Sequence, residues 1–141
     1  RFRNVTGVQT CALPIFAQGA LTGKYLPGAK PPKGSRATDK KGGANMISRW
    51  MNEEVLTAVQ QLKPIADQEG LSLAQLAVAW VLQNPNVSSA IIGATKPAQI
   101  KENVKASGVK LSSESMKAID QVLGKLPEKD PAKTVSPQPR A

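Results

Sequence analysis

SSAIIGATKPAQIKENV, residues 88–104, decides how this chain reads. An apolar run of strand type, 87–94, carries Gly93 near its end and passes at Thr95–Lys96 into a helical segment, KPAQIKENVKAS, that Gly108 stops. Gly93 lets a ligand approach the backbone, Thr95 can cap the helix, and the first-turn N–H groups point at whatever binds there. Lys96 adds a full charge to the positive end of the helix dipole, and the combination suits a phosphate. Gln99, Glu102 and Asn103 follow at i, i+3 and i+4 and share one face, able to hydrogen-bond a sugar or base. A plainer reading stays open beside this one: ordinary capping followed by a solvated helix face.

Upstream, Ser72 reads as the N-cap of a helix, LAQLAVAWVLQ, that ends before Asn84-Pro85. It is apolar nearly all round, which marks a buried helix. Before it, Val55, Leu56, Val59, Leu62, Ile65 and Ala66 recur at helical spacing from Asn52 to Gly70, with Pro64 set to kink or split that helix. Downstream, a serine cap opens a last helix over 113–123. From Pro127 the chain turns proline-rich with almost no apolar side chain, which reads as a flexible tail.

Toward the start, residues 16–21 form a short apolar run ending in glycines, the tail of a strand. Residues 25–44, rich in Pro, Gly and Lys, read as a long surface loop. The order strand, loop, helix, helix, strand, helix, helix implies an α/β fold with parallel strands joined by right-handed crossovers. A parallel sheet needs more neighbours than two strands supply, so the segment reads as a slice of a larger α/β structure. A strand end feeding a helix N-terminus is where α/β barrels place their ligands.

Bulk properties narrow the chemistry. The 141 residues carry 19 basic against 10 acidic side chains, a net charge of +9. The excess gathers between Leu21 and Arg49, at Lys24, Lys30, Lys33, Arg36, Lys40, Lys41 and Arg49 against Asp39 alone. Such a stretch attracts an anion without specifying which. Histidine is absent, which removes Ser–His and Cys–His nucleophile pairs and His-ligated metals. Aromatic residues make up only 4%, so the core is aliphatic; Trp50 and Trp80 read as core anchors and Tyr25 as a packing residue. No apolar run is long enough to span a bilayer.

The first fifteen residues, RFRNVTGVQTCALPI, share no helical or strand period with the chain after them. Val5–Ile15 resembles the translation of a sequencing-library adapter, so residues 1–15 are expected to lie outside the natural fold. They hold the sole cysteine, Cys11. The remainder, free of cysteine, suits the cytoplasm and excludes a disulfide framework or cysteine-based zinc site.

FAQGALTGKY, the SRATD loop, LSLAQLAVAWVLQNPNVSSAIIGATKPAQIKENVKA and the final helix together resemble the C-terminal part of an aldo-keto reductase. The match runs from Phe16 to about Leu126 and looks closest to the bacterial and potassium-channel β-subunit-like branch. The resemblance implies a C-terminal slice of a (β/α)₈ TIM barrel, incomplete, with about two parallel strands and four helices. It also implies NADP(H) as cofactor and a small-molecule carbonyl substrate. By the same resemblance Phe16, Ala17, Gln18 and Gly19 lie along the cofactor, and Leu21 and Lys24 pass over its pyrophosphate, with Lys24 as the cation. Ser35 and Arg36 match the loop pair that closes on the cofactor. Gly93, Thr95 and Lys96 match the pocket for the adenosine 2′-phosphate, and Gln99, Glu102 and Asn103 the adenosine surroundings. Many members place an arginine near that pocket; Lys96 here is a point charge without the bidentate fork.

The family's hydride transfer uses a Tyr assisted by Lys, Asp and His, all upstream of this segment. A complete barrel needs about 250 residues. The chain is therefore expected to be inactive by itself, to expose unpaired strand edges and an apolar helix face, and to contribute cofactor-binding residues to an enzyme reducing aldehydes or ketones. Two other functions stay open. One is a basic module binding polyanions through residues 24–41, with binding that falls steeply with salt; a lone Tyr25 for base stacking argues against nucleic acid. The other is a non-catalytic regulatory subunit that senses NADPH. No membrane partner is expected.

Overall fold

A computed structural model describes residues 13–14, 17–84, 87 and 89–126. Two short strands, β1 (Leu13–Pro14) and β2 (Ala90–Ile91), pair in parallel with Leu13 opposite Ala90 and Pro14 opposite Ile91. The described residues hold six α-helices: α1 (Gly43–Ile47), α2 (Glu53–Gln61), α3 (Lys63–Gln68), α4 (Leu73–Leu82), α5 (Pro97–Val104) and α6 (Ser113–Leu123). The parallel pair with helices between its strands is the α/β arrangement read from the sequence.

Most helix signals work as expected. Asn52 caps α2 by accepting the Val55 N–H at 2.9 Å. Pro64 sits in the first turn of α3, where its missing N–H costs nothing, so the long periodic segment is split at Leu62. Gly70 at φ 68° reverses the chain after α3. Ser72 and Gln75 form a capping box: Gln75 N donates to Ser72 Oγ at 3.2 Å and Ser72 N to Gln75 Oε1 at 2.9 Å. Ser112 caps α6 through the Ser115 N–H at 3.1 Å.

Four expectations need correction. Residues 17–22 are not a strand tail: they form 3₁₀ turns broken by left-handed residues, and the strand pairing lies earlier, at Leu13–Pro14. The strand expected over 87–94 shrinks to Ala90–Ile91, because its only described partner strand is two residues long. Inside the long loop, Arg36–Thr38 forms a 3₁₀ turn and Gly43 begins α1. Asp39 stabilises this order by accepting the N–H groups of Lys41 at 2.9 Å and Gly43 at 3.2 Å. The capping residue of α5 is Lys96 rather than Thr95. The tail from Pro127 lies outside the described residues.

Apolar burial is organised about α4. Leu76 and Ala79 face Leu62, Ile65 and Ala66 of the α2–α3 region and Leu111, Ile119 and Leu123 near α6. Ala77, Val78 and Val81 face the other way, packing with Ala106 against Leu21, Val87, Ala90 and Ile92. Trp80 touches both clusters. Each fully buried Leu, Ile or Val stabilises by about 1.5–3 kcal/mol. A third cluster joins Tyr25, Ile47 and Leu56, flanked by Ala37, Trp50 and Met51.

Two polar ties complete the frame. Gln75 is buried and sends its Nε2 to the Glu102 carbonyl at 2.9 Å, lashing α4 to α5. Glu69 accepts the Ser112 N–H at 3.2 Å and Oγ–H at 2.8 Å, joining the end of α3 to the start of α6. The Ser115 hydroxyl, the Ser112 hydroxyl and the Ser112 amide together hold the Glu69 carboxyl below its ordinary pKa.

Gln75→Leu keeps the volume but strands the Ser72 N–H and the Glu102 carbonyl, so urea denaturation should show a loss of about 1–3 kcal/mol. The depressed pKa of Glu69 has a sign for stability. Its contribution is present above the unfolded-state value, about 4.3, and is lost as pH falls through the lower folded value. Glu69→Gln should therefore flatten the acid limb of a melting-temperature-against-pH profile; an unchanged limb would show that the Ser112 staple carries no stability.

Candidate functional site

The segment Ala17–Tyr25 is shaped by backbone conformations that few residues tolerate. Ala17 at φ 44°, Gln18 at φ 61° and Gly19 at φ 106° are left-handed in succession. For residues with a Cβ, each such conformation costs about 1–3 kcal/mol and survives only when surrounding structure enforces it. Thr22 Oγ1 donates to the Gly19 carbonyl at 2.7 Å, and Gly23 N to Ala20 O at 3.3 Å, which closes the turn. Gly23, at φ 75°, lies so near Leu73 that an added Cβ would clash with its Cδ1. The segment is thus pressed onto the N-terminal turn of α4.

Its side chains divide by direction. Tyr25 is buried, 1% exposed, and Leu21 packs against the Ala77–Val78–Val81 cluster. Lys24 is exposed; its ammonium lies 5.1 Å from the Tyr25 ring centroid, and a Cβ built on Gly19 would stand 3.4 Å from its Nζ. Gln18 Oε1 is a buried acceptor without a partner among the described residues. Phe16 lies outside the described residues.

Ser35 and Arg36 sit on the ordered turn of the basic loop. Ser35 O accepts the Thr38 N–H at 3.0 Å and Oγ1–H at 2.8 Å, and Arg36 O accepts the Asp39 N–H at 3.1 Å. Arg36 is exposed, while Ser35 Oγ is enclosed and unpartnered among the described residues. Gly43 is fixed by this turn, because an added Cβ would fall 2.9 Å from Arg36 O. Lys30, Lys33, Lys40 and Lys41 are all exposed.

At α5 the geometry differs from the capping expected. Gln99 turns back and its Oε1 accepts the Thr95 N–H at 2.7 Å, the Lys96 N–H at 3.2 Å and the Thr95 Oγ1–H at 3.2 Å. Lys96, extended at φ −139°, is the capping residue, and Thr95 caps nothing. The physical reason lies in reach: a Gln at the third helical position meets the two preceding amides, whereas Thr95 stands one residue too early. Pro97 has no N–H to offer. Two amides that a phosphate would want are therefore held by Gln99.

Gln99, Glu102 and Asn103 share a side of α5 but not an environment. Gln99 is exposed, Glu102 pairs with Lys105 at 3.2 Å, and Asn103 is buried at 7% exposure. Gly93, Thr95 and Lys96 are exposed. Among the described residues, no carboxylate pairs with Lys24, Arg36 or Lys96, so three cations remain available to an anion. The 17–25 and 90–103 segments meet on α4: Leu21 joins the same buried cluster as Ala90 and Ile92, and Gln75 reaches Glu102.

Sequence reading passes over Gln60, whose Nε2 donates to the carbonyls of Gly23 at 3.1 Å and Tyr25 at 3.2 Å. The available signal is its register, four residues after buried Leu56 on the inner side of α2. Gln75, set within an apolar helix, carries a similar signal.

A strand-to-helix passage, a basic loop and a glycine-shaped turn held on one buried helix describe a slice of a (β/α)₈ barrel. The chain belongs to the aldo/keto reductase family, whose profile matches residues 2–124. That match takes in nearly all of residues 1–15, the segment expected to lie outside the natural fold, and the β1 pairing at Leu13–Pro14 falls in the same segment. The chain is 45% identical over 116 residues to a probable voltage-gated potassium channel subunit beta of Arabidopsis thaliana, covering 81% of this chain and 35% of that protein. It is 45% identical over 112 residues to a putative subunit of the same kind from Schizosaccharomyces pombe, covering 77% and 32%. With an L-glyceraldehyde 3-phosphate reductase of Escherichia coli O157:H7 it shares 36% over 118 residues, covering 82% and 33%. The chain spans about a third of the length of the curated relatives it matches.

Gly23→Ala should destabilise by about 1–2 kcal/mol from its left-handed φ alone, before the clash with Leu73 is added. Thermal unfolding measures it, and a neutral result would mean that the turn does not hold its φ in solution.

Proposed function

We propose that this segment forms the cofactor-gripping part of an NADP(H)-dependent oxidoreductase that reduces aldehydes or ketones. The observation that carries the reading is the Ala17–Lys24 turn. Costly left-handed backbone converges there with an ammonium that no carboxylate pairs and an acceptor, Gln18 Oε1, that no donor meets among the described residues. The residues fit a dinucleotide: Lys24, with Arg36 from the basic loop, would hold its phosphates, and Gln18 Oε1 would accept a hydrogen bond from an amide donor. Ala17 and Gly19 bring backbone to its flank, with Phe16 preceding them, and Ser35 Oγ has hydrogen-bonding capacity to spare.

At the adenosine end, Lys96 supplies charge beside Gly93 and Thr95, while Glu102 and Asn103 border the site. Gln99 either keeps its present bonds or yields two amides to a 2′-phosphate. When bound, the cofactor supplies a hydride to the substrate's carbonyl carbon. The proton for the carbonyl oxygen comes from elsewhere. Tyr25 is the only tyrosine and lies buried beneath Lys24, and the chain has no histidine. The family's Asp, Tyr, Lys and His set belongs to the rest of the barrel, so this segment binds without catalysing. A cytoplasmic protein fits this reading, and no helix of the described residues is long and apolar enough to cross a membrane.

A second reading is favoured by the relatives' order of identity. The potassium-channel β subunits share 44–45%, against 36% for the glyceraldehyde phosphate reductases. Under it the same pocket serves a regulatory subunit that senses NADPH. Tight NADPH binding with no turnover of any aldehyde in the full-length protein would select it.

The deciding measurement is NADPH titration of the full-length gene product by cofactor fluorescence. Lys24→Met should raise the Kd by about tenfold or more, since a hydrogen bond to a charged group is worth about 1.5–3 kcal/mol. A wild-type protein that ignores NADPH would sink the proposal.

A further inference from the structure

Lys24 is exposed on a turn, and a free lysine side chain there would sample many rotamers at an entropic cost to any ligand that needs it still. The backbone beneath it is held instead. Gln60 Nε2 donates to the Gly23 carbonyl, one residue before Lys24, at 3.1 Å, and to the Tyr25 carbonyl, one residue after it, at 3.2 Å. A carboxamide nitrogen carries two N–H donors, so both bonds form at once. Gly23 is pressed against Leu73 and the Tyr25 ring is sealed beside Ile47 and Leu56. The lysine backbone is therefore held from both sides, and its exposed ammonium rests 5.1 Å from the Tyr25 ring centroid, beside Gly19.

Gln60 is well placed to act at this distance. It stands at the end of α2, anchored through buried Leu56 and Val59, and it is half-buried rather than solvated. A helix that needed only solubility there would gain nothing from a side chain turned inward onto two loop carbonyls. A helix that needed only packing would carry an aliphatic residue.

We infer that Gln60 is a positioning residue that aims the Lys24 ammonium at a phosphate of the bound dinucleotide. The inference rests on the proposed reading of Lys24 as the cofactor's cation. Gln60 itself touches no ligand; its effect passes through the two peptide groups it clamps.

The test is a double-mutant cycle on NADPH affinity in the full-length gene product, with wild type, Lys24→Met, Gln60→Glu and the double variant. Gln60→Glu keeps the shape, removes both donors at neutral pH and sets a carboxylate against two carbonyl oxygens. It should weaken NADPH about tenfold in the wild-type background, a coupling within the range for residues in one network. In the Lys24→Met background it should weaken binding no further. Additive losses, or an unchanged Gln60→Glu beside a weakened Lys24→Met, would overturn the clamp and leave the cofactor reading intact. Unchanged binding in Lys24→Met would overturn the cofactor reading and the clamp together. Should Gln60→Glu fail to fold, Gln60→Leu, which removes the donors without adding charge, is read through the same cycle.

Discussion

A helix apolar on nearly every side persists in water only if something covers every side, and α4 imposes that demand on this chain. Leu76 and Ala79 draw the α2–α3 region and α6 to one flank; Val78 and Val81 draw the Leu21 turn, β2 and Ala106 to the other. Hydrophobic burial has no direction of its own. The directional part falls to Gln75, which caps its own helix and reaches Glu102, so α5 meets α4 in one register. The two segments that carry candidate binding residues are consequently held by one element.

What α4 supports is a candidate site shaped largely by backbone. The left-handed run at Ala17–Gly19, the compressed Gly23 and the ordered Ser35–Asp39 turn set where Lys24 and Arg36 stand. Their charges are left uncompensated among the described residues, an arrangement that suits an anion arriving from solvent. The α5 end is different in kind, because Gln99 satisfies the amides that a ligand was expected to meet there.

Local signals are legible wherever a residue acts on its own neighbourhood. Asn52, Ser72, Ser112, Pro64 and Gly70 each do what their chemistry dictates within a few residues, so the helices over 53–82 and 113–123 can be read directly. The barrel class comes from element order together with the family resemblance. Features that depend on distant partners are not legible. Strand content at 17–22 and 87–94 is overestimated because an apolar run does not state whether a neighbouring strand is there to pair with it. Gln60 and Gln75 look like interruptions of apolar stripes, since the carbonyls they serve lie 35 or more and 27 residues away in sequence. Thr95 misses the capping position by one residue, the margin within which helix ends read from sequence ordinarily fail.

The pairing of Leu13 with Ala90 has a consequence for how the molecule comes together in time. Contacts among α2, α3 and α4 close short stretches of chain, whereas β1 and β2 are separated by most of its length and by all of that helical region. Closing the longer loop costs more chain entropy before any contact offsets it. The helical layer is thus the early event and the strand pair the late one. The left-handed turn lying between β1 and α4 reaches its final strained form only when both its flanks are in place. The strained backbone at Ala17–Gly19 is therefore a product of tertiary closure rather than of local preference.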